Sequence, residues 1–315
     1  MAPGAIPISV GCIVYNVETM LNLYFAMTAD KPVTSKYITI AGEVKKPDTL
    51  KVPLGMTVNE LVELAGGVTV NDPVYISGGP MTGRICNGYD VITKTSNAIL
   101  VMPKDHYIVL KRSQSTKVNV KRAMASCCQC QMCTDLCPRH LLGHPITPHM
   151  FMRSVSSGTA HDIKPLLDTM FCSACGLCEM YSCGQGLSPR TLIGEYKGAL
   201  RKNGVPVPKD AVLKPVAPYR NERRVPMERI TARIGLTRYD MPAPMVDEEV
   251  KADTVKIQLT QHIGAPAKAF VAVGDKVVVG QPIGGTDDDK LGVKIHATIS
   301  GTVTDVNDRF VTIKA

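Results

Sequence analysis

Two cysteine-rich stretches decide the fold of this 315-residue chain. They read Cys127-Cys-Gln-Cys-Gln-Met-Cys-Thr-Asp-Leu-Cys137 and Cys172-Ser-Ala-Cys-Gly-Leu-Cys-Glu-Met-Tyr-Ser-Cys183. Each stretch holds three cysteines with two residues between neighbours, followed by a fourth cysteine further along. The fourth cysteine of the first stretch precedes Pro138, whereas that of the second stretch comes after a longer gap and precedes Gly184.

This spacing is the pattern of bacterial proteins that hold two [4Fe–4S] clusters. Three closely spaced thiolates wrap one cluster from a tight loop, and the fourth thiolate of each stretch ligates the other cluster. We therefore predict that the first cluster is held by Cys127, Cys130, Cys133 and Cys183, and the second by Cys172, Cys175, Cys178 and Cys137. This exchange of the fourth ligand would tie the two stretches together.

Other uses of these cysteines fit the spacing less well. Zinc sites usually show paired Cys-x2-Cys units. A disulfide framework needs an oxidising compartment, and nothing in the chain resembles a secretory signal. Cys128 could compete with Cys127 as a ligand, although the spacing to Cys130 favours Cys127. The longer gap and the missing Pro make Cys183 the least regular ligand, but no other cysteine nearby can replace it.

Composition limits the class of protein. Eleven cysteines would be unusual for a cytosolic enzyme without metal, and the predicted clusters leave only Cys12, Cys86 and Cys128 unused. No apolar run approaches the ~20 residues of a membrane span.

The net charge is +8, and the basic residues are most concentrated at residues 111–122 and 220–233. These two segments lack the interleaved aromatic residues of proteins that bind single-stranded nucleic acid. We therefore expect no nucleic acid as partner. The basic segments are solvated surface or a docking site for an acidic redox partner.

Residues 1–33 are too short to bury a core of their own. Their apolar run at residues 6–15 has strand character. A helical pattern opens after it, at Asn16.

Residues 34–112 are predicted to form a small β-rich module. The predicted strands cover residues 37–42, 50–54, 74–77, 98–102 and 107–110. Thr57 and Glu60 have the spacing of a capping box, so a helix is expected to begin there and to end at Gly66.

The rest of the chain divides into three parts. Residues 113–205 contain the cysteines and a helix predicted for 191–201. Residues 206–250 are rich in Pro, Arg and Lys with little apolar periodicity, which is typical of a linker. Residues 251–315 show short strands separated by turns, a rhythm that suits a compact barrel-sandwich.

Three blocks of sequence resemble known domains. Val10-Gly-Cys-Ile-Val-Tyr-Asn-Val-Glu-Thr19 resembles a segment of the flavin-binding subunit of respiratory complex I. The block from Ile40 to Met81 resembles the soluble-ligand-binding β-grasp (SLBB) module, and that from Gln261 to Val303 resembles the barrel-sandwich domain of the RnfC electron-transfer subunit. In RnfC proteins the barrel-sandwich comes first, whereas here it comes last. This order resembles the PduS type of cobalamin (corrin) reductase of propanediol-utilisation microcompartments.

The resemblance implies a multidomain α+β fold. Residues 1–33 would be a remnant of a flavin- and NADH-binding domain, and residues 34–112 an SLBB-like β-grasp module. A helical, ferredoxin-like domain with two [4Fe–4S] clusters at 113–205 and a linker at 206–250 would precede a C-terminal barrel-sandwich hybrid at 251–315.

The resemblance also implies an oxidoreductase. The full-length protein would take electrons from NADH through FMN and two clusters to cobalamin. It would reduce cob(III)alamin through cob(II)alamin to cob(I)alamin and so support adenosylcobalamin recycling. Its partners would be a corrinoid adenosyltransferase and the shell or lumen proteins of a bacterial microcompartment in the cytoplasm.

No residue is assigned a catalytic role. Asn16 and Thr19 match flavin-proximal positions of the family. The glycine-rich nucleotide and flavin loops of the family are absent from residues 1–33. We therefore expect a partial chain that does not oxidise NADH by itself.

Two alternative functions remain open. The chain could be a non-catalytic electron relay or adaptor, in which the two β modules bind partners. It could also be part of an Rnf-type NADH:ferredoxin oxidoreductase with membrane partners, against which the terminal position of the barrel-sandwich argues. Reduction by NADH with FMN supplied distinguishes a reductase from a relay.

Overall fold

The computed structural model describes residues 1–160, 162–287 and 289–315. The helices are α1 (Val17–Ala29), α2 (Val58–Leu64), α3 (Tyr107–Ser113), α4 (Thr116–Ser126), α5 (Met132–Asp135), α6 (Pro138–Leu141), α7 (Pro148–Ser157), α8 (Lys164–Leu167), α9 (Pro189–Lys202) and α10 (Met227–Arg233). The strands are β1 (Ser35–Gly42), β2 (Asp48–Pro53), β3 (Pro73–Ser77), β4 (Arg84–Cys86), β5 (Ala98–Pro103), β6 (Met245–Glu249), β7 (Thr254–Gln258), β8 (Lys268–Ala269), β9 (Lys276–Val277), β10 (Pro282–Gly285), β11 (Ile295–His296), β12 (Gly301–Val306) and β13 (Phe310–Lys314). Short 3-10 helices cover Pro7–Val10, Asp168–Phe171 and Thr237–Tyr239, and Cys178–Ser182 form a π-helical turn.

The chain folds into two compact units, each built from separated parts of the sequence. The helical unit comprises Met1–Val14 and Asp105–Asp240. The β unit comprises Tyr15–Lys104 and Met241–Ala315. None of the helices among the described residues is both long enough and apolar enough to cross a membrane.

A six-stranded sheet forms the first half of the β unit, in the order β4-β3-β5-β1-β2-β6. β1 pairs antiparallel with β2 and parallel with β5. Alternate residues of β1 point into the core, where Ile38 and Ile40 are completely buried. This alternation is the period-2 pattern of a strand with one buried face. α2 begins at the predicted capping box of Thr57 and Glu60 and buries Leu61 against the same core.

Two smaller sheets form the second half of the β unit, in the orders β11-β10-β8 and β7-β13-β12-β9. Their buried side chains belong to the same hydrophobic core as those of the six-stranded sheet. Hydrogen bonds join the halves, since the Thr298 hydroxyl donates to the Leu54 carbonyl at 2.7 Å and the Lys256 N–H donates to the Gly55 carbonyl at 2.9 Å. The β-grasp and barrel-sandwich parts therefore share a single core.

The helical unit has a small core where α4, α7 and α9 meet. It contains Ala123, Phe151 and Ile193, all nearly inaccessible to solvent. The ring of Phe151 packs edge-on against Tyr196 with centroids 5.6 Å apart. Cys127, Cys172 and Cys183 pack against this core, so it supports both cysteine stretches.

Two predicted strands are wrong. The apolar residues 6–15 are exposed and carry the 3-10 helix Pro7–Val10, because Pro7 favours the first helical position and the segment is not paired in a sheet. Residues 107–110 belong to α3. The His106 ring accepts a hydrogen bond from the Ile108 N–H at 3.3 Å and so caps the start of this helix.

Most other predicted elements are confirmed. The helix that opens at Asn16 is α1, and the one predicted for 191–201 is α9. The strands predicted around residues 37–42, 50–54, 74–77 and 98–102 are β1, β2, β3 and β5.

The stretch predicted as a linker carries α10 and also β6, which pairs parallel with β2 at the edge of the six-stranded sheet.

Candidate iron–sulfur centre

The first cysteine stretch forms a tight loop at the end of α4. The Cys127 N–H donates to the Ala123 carbonyl at 3.1 Å, which completes the last turn of the helix. Gln129 and Gln131 then adopt left-handed backbone conformations, with φ of 55° and 63°. These two residues bend the chain sharply, and α5 follows with Cys133 in its first turn.

The second stretch repeats this backbone. Ala174 and Gly176 have φ of 55° and 83° and occupy the same positions relative to their cysteines as Gln129 and Gln131. A left-handed conformation is unfavourable for Gln and Ala by about 1–2 kcal/mol per residue. Its occurrence at matching positions indicates that both loops are shaped for the same purpose, which is to turn three thiols toward one point.

The loops and their fourth cysteines surround two cavities in the helical unit. The cavity at the first loop, called the first thiol cavity, is lined by Cys127, Cys130, Cys133 and Cys183, together with Cys128. The second thiol cavity is lined by Cys137, Cys172, Cys175 and Cys178. The structure thus brings together the two sets that the spacing predicts, with Cys137 and Cys183 each reaching the cavity of the other stretch.

The two cavities are similar in size and wall chemistry. Their volumes are about 30 and 20 Å³. Buried apolar side chains complete their walls, among them Met152 and Leu187 in the first and Ile193 in the second. Among the described residues, no group of three or more His, Cys, Asp or Glu side chains is arranged to hold a metal ion. Cavities lined by at least four thiols instead suit a larger iron–sulfide cluster, whose ligands are soft thiolates. The residues therefore fit two such clusters.

The pKa values of the thiols show how closely they gather. Burial, with smaller contributions from the charges of Cys183, Cys127 and Cys130, raises the pKa of Cys133 to about 12. Burial likewise raises the pKa of Cys137 to about 11, with smaller contributions from Cys175 and Cys172. These thiols must lose their protons to bind iron, so cluster binding and proton release are coupled.

The remaining cysteines differ in their surroundings. Cys128 is exposed at the rim of the first thiol cavity. Its neighbour Cys127 is half-buried and accepts a hydrogen bond from the Gln129 side-chain amide at 3.2 Å. Cys12 is exposed, and Cys86 lies in the β unit, where burial raises its pKa to about 11. Cys12 and Cys86 are therefore outside both thiol cavities.

Lys111 is a buried cation that the sequence pattern did not single out. Its ammonium donates to the carbonyls of Gly186 and Leu187 at 2.6 and 2.8 Å and to the Ser188 hydroxyl at 3.0 Å. These bonds hold the segment that follows Cys183. Burial lowers the pKa of Lys111, and the charge of Glu179 opposes that shift. The thiolate forms of Cys183 and Cys178 also favour the protonated lysine, so its charge acts on both ligand sets.

α9 holds the second stretch at two points. The buried Glu179 carboxylate accepts the Thr191 N–H at 2.8 Å and the Thr191 hydroxyl at 3.0 Å. It thereby satisfies a backbone donor in the first turn of α9, where N–H groups have no partner within the helix. Further along α9, the Lys197 ammonium donates to the Cys172 carbonyl at 2.8 Å.

Asn16 and Thr19, the predicted flavin-proximal residues, lie on the surface of the β unit. The Asn16 side chain accepts the Glu18 N–H at 2.9 Å and so caps α1. Thr19 is exposed on the first turn of that helix. Their role at a flavin stays a prediction.

Comparison with protein families identifies three domains. Residues 37–85 match the SLBB domain, residues 126–188 the 4Fe-4S dicluster domain, and residues 243–315 the RnfC barrel sandwich hybrid domain. The dicluster match implies two [4Fe–4S] clusters. These domains, together with the two thiol cavities, define an iron–sulfur electron-transfer protein.

Similarity over nearly the whole chain narrows this class. The chain is 40% identical over 314 residues to cobalamin reductase PduS of Salmonella typhimurium, covering 99% of this chain and 69% of that protein. It is 37% identical to cobalamin reductase PduS of Citrobacter freundii with the same coverage. The chain belongs to the PduS family.

A more distant similarity connects the chain to ion-translocating complexes. One component of the Na(+)-translocating ferredoxin:NAD(+) oxidoreductase complex of Acetobacterium woodii is 28% identical over 139 residues, which are 44% of this chain and 29% of that protein. The predicted resemblance to PduS and the predicted fold class are both confirmed.

Proposed function

We propose that this chain carries single electrons through two [4Fe–4S] clusters as the electron-transfer part of a cobalamin reductase. Electrons from NADH enter through FMN and leave to cobalamin, which passes from cob(III)alamin through cob(II)alamin to cob(I)alamin. One NADH supplies the two electrons of these two steps and yields NAD⁺ and a proton. The product would be used for adenosylcobalamin recycling.

The observation that carries the proposal is the exchange of Cys137 and Cys183 between the two thiol cavities. Because each cavity receives a thiol from the other stretch, two clusters bound there are neighbours in one folded unit. Neighbouring clusters form a path for electrons rather than two separate structural sites. The similarity to cobalamin reductases supports cobalamin as the acceptor.

The residues of this chain hold the ligands in place and supply apolar walls. The thiolates of the two sets would ligate the irons, and Met152, Leu187 and Ile193 line the cavities with apolar surface. When bound, the clusters supply one-electron transfer at potentials set by hydrogen bonds, charge and exposure. A flavin is needed upstream because NADH gives up its electrons in pairs.

The first test is the iron and acid-labile sulfide content of the protein purified without air. About eight irons and eight sulfides per chain are expected for two cubanes. The dithionite-reduced protein should show the coupled spin signals of two neighbouring clusters. Zinc in place of iron, or magnetically isolated clusters, would contradict the proposal.

A second test distinguishes the reductase from a non-catalytic relay. The Asn16 side chain already serves as a helix cap, which favours the relay for this chain on its own. We expect that NADH and FMN alone leave the clusters oxidised, whereas adding an NADH-oxidising flavoprotein reduces them. Direct reduction by NADH and FMN would show that the chain is itself a reductase.

We also propose a corrinoid adenosyltransferase and microcompartment shell or lumen proteins as partners, with the protein inside a bacterial microcompartment in the cytoplasm. The similarity to PduS supports these assignments. Co-purification of the tagged chain with microcompartments from a host that makes them would test this location.

A further inference from the structure

The β unit contains a large cavity that none of the predicted cluster ligands lines. Its volume is about 820 Å³, within the range of about 300–1,000 Å³ typical of ligand pockets. One wall comes from the six-stranded sheet and its loops, including Ser77, Arg84 and Asn97. The other wall comes from the barrel-sandwich part, including Lys256 and Phe310. We call it the inter-sheet cavity.

A buried glutamine fastens the two walls to each other. The Gln261 side-chain oxygen accepts the Lys94 N–H at 2.9 Å, and its amide nitrogen donates to the Gln258 carbonyl at 2.8 Å. Gln261 is only 6% exposed. The bond from Lys94 fixes one loop of the six-stranded sheet to one loop of the barrel-sandwich, and the bond to Gln258 holds the glutamine within the barrel-sandwich part.

The charged side chains of the cavity are mostly cationic. Arg84, Lys256 and Arg309 line it, against the single described carboxylate of Asp90. That carboxylate already accepts the Asn87 N–H at 2.9 Å. The cavity therefore has a positive field that favours an anion.

Two of the cations are held in position by one aromatic ring. The Lys256 ammonium lies 4.5 Å from the centre of the Phe310 ring, and the Arg309 guanidinium lies 5.6 Å from it. Cation–π attraction restrains both side chains at the cavity wall. This restraint lowers the entropy lost when they bind an anion.

His262 gives the cavity a polar group without a partner. Both of its ring nitrogens are buried, and neither has a hydrogen-bond partner in the parts of the chain that the structure describes. Buried polar atoms are normally satisfied, and an exception calls for an unseen partner. His262 lines the cavity with both ring nitrogens closed off from solvent, so its ring must turn before a ligand bound there can supply the missing partner.

We propose that the inter-sheet cavity binds a phosphate-bearing ligand of nucleotide size. Arg84, Lys256 and Arg309 neutralise the phosphates, and His262 hydrogen-bonds to the ligand. The exposed ring of Tyr89, at the cavity wall, offers a face for a flat base. The many hydroxyl and amide groups of the lining suit a sugar.

Calorimetric titration of the intact protein with ADP, pyrophosphate and adenosine tests the proposal. ADP is expected to bind with one site per chain and more tightly than either of its parts, and its affinity should fall as salt is raised. If adenosine binds as tightly as ADP, the phosphates contribute nothing to the affinity, which contradicts the proposal. If pyrophosphate binds as tightly as ADP, the base and sugar contribute nothing to the affinity, which contradicts a ligand of nucleotide size. Absence of binding by all three would overturn the proposal entirely.

Matched variants show whether ADP binds in this cavity. Arg309→Gln and His262→Phe should each weaken ADP binding about tenfold, as expected for the loss of a hydrogen bond to a charged group. Lys276→Gln removes an exposed charge of the β unit outside the cavity and should leave the affinity unchanged. Equal weakening by Lys276→Gln and Arg309→Gln would show unspecific attraction and sink the assignment.

His262→Phe also has a readout that does not depend on a ligand. Because it replaces unpaired polar atoms by apolar ones of similar shape, it should leave the thermal stability of the free protein unchanged or raise it. A marked loss of stability would show that the histidine has a structural partner, which would remove it from the proposed site.

Discussion

At the scale of single residues, the helical unit depends on side chains whose chemistry is unusual for their position. Nine cysteines line two cavities, eight of them the predicted ligands, and Lys111 is only 4% exposed. The spacing predicted eight cysteines that the structure places at these cavities, and their role as iron ligands stays a prediction. Nothing in the sequence predicted Lys111 as a buried residue, because lysines are almost always exposed unless they are paired.

Replacing a single thiol should remove one cluster. Cys130→Ala is expected to lower the iron content from about eight to about four per chain and to destabilise the helical unit, since the ligands are also its cross-links. Iron analysis of the anaerobically purified variant measures this. Cys86→Ala and Cys12→Ala are the controls and should keep all the iron. Full iron content in Cys130→Ala would show that the ligands are wrongly assigned.

The same measurement resolves the choice between two adjacent cysteines. Cys127 accepts a hydrogen bond from Gln129, as thiolates bound to iron commonly do, whereas Cys128 lies exposed at the rim. We expect Cys128→Ala to retain about eight irons and Cys127→Ala to lose about four. The reverse result would make Cys128 the ligand.

Lys111 should raise the reduction potentials of both clusters. Its positive charge favours the reduced, more negative cluster, so Lys111→Met is expected to lower the reduction potentials. The expected shift is on the order of tens of millivolts, the size of one Coulombic interaction between partly buried charges. Redox titration followed by electron paramagnetic resonance measures the shift. Lys121→Met removes an exposed charge of α4 and should have little effect. Equal potentials in wild type and Lys111→Met, at equal iron content, would limit the lysine to a structural role.

At the scale of elements, a helix or strand could be predicted from the sequence where residues close together in the chain determine it. The capping box of α2 and the alternation of β1 were readable because a few neighbouring residues determine them. Residues 107–110 read Tyr-Ile-Val-Leu, which suits a strand as well as a buried helix, and the capping role of His106 emerges only from the structure. β6 was missed because it is an exposed edge strand with no apolar alternation.

The backbone conformation at the end of β1 requires glycine at position 42. Gly42 has φ of 97°, and an added Cβ would lie 2.1 Å from the Val101 carbonyl oxygen. Gly42→Ala should therefore destabilise the β unit by well over 2 kcal/mol, which is more than the about 1–2 kcal/mol of a left-handed alanine alone. Hydrogen exchange of the amides of β1 and β5 measures the loss.

Gly67→Ala is the matched control for this substitution. Its φ is 84°, and an added Cβ would meet no atom within 4 Å in the described structure. It should show only the conformational cost of about 1–2 kcal/mol. Similar losses in the two variants would mean that the close approach of Val101 is relieved by a small shift of the strand.

At the scale of the whole molecule, the two units have different sources of stability. The β unit has an extensive apolar core that runs from the six-stranded sheet into the barrel-sandwich. The helical unit has a small core and two cavities ringed by thiols. A unit built around such cavities relies on the bound clusters for part of its folding free energy.

Removal of iron should therefore affect the units unequally. Chelation under reducing conditions is expected to abolish hydrogen-exchange protection in α4, α7 and α9 while the strands of the β unit stay protected. Mass spectrometry of exchange in the iron-loaded and iron-free protein measures this. Simultaneous loss of protection in both units would show that the β unit also depends on the clusters.

The division of the β unit between two distant parts of the chain has a consequence for its assembly on the ribosome. Tyr15–Lys104 leave the ribosome before Met241–Ala315, but their core includes Val255, Ile257 and Ile313 from the later segment. Asp105–Asp240 are synthesised between these two segments and can fold and bind iron while one apolar face of the earlier strands is still uncovered. During synthesis the early strands are thus exposed to aggregation, and a cell that makes this protein has reason to shield them until β13 is complete.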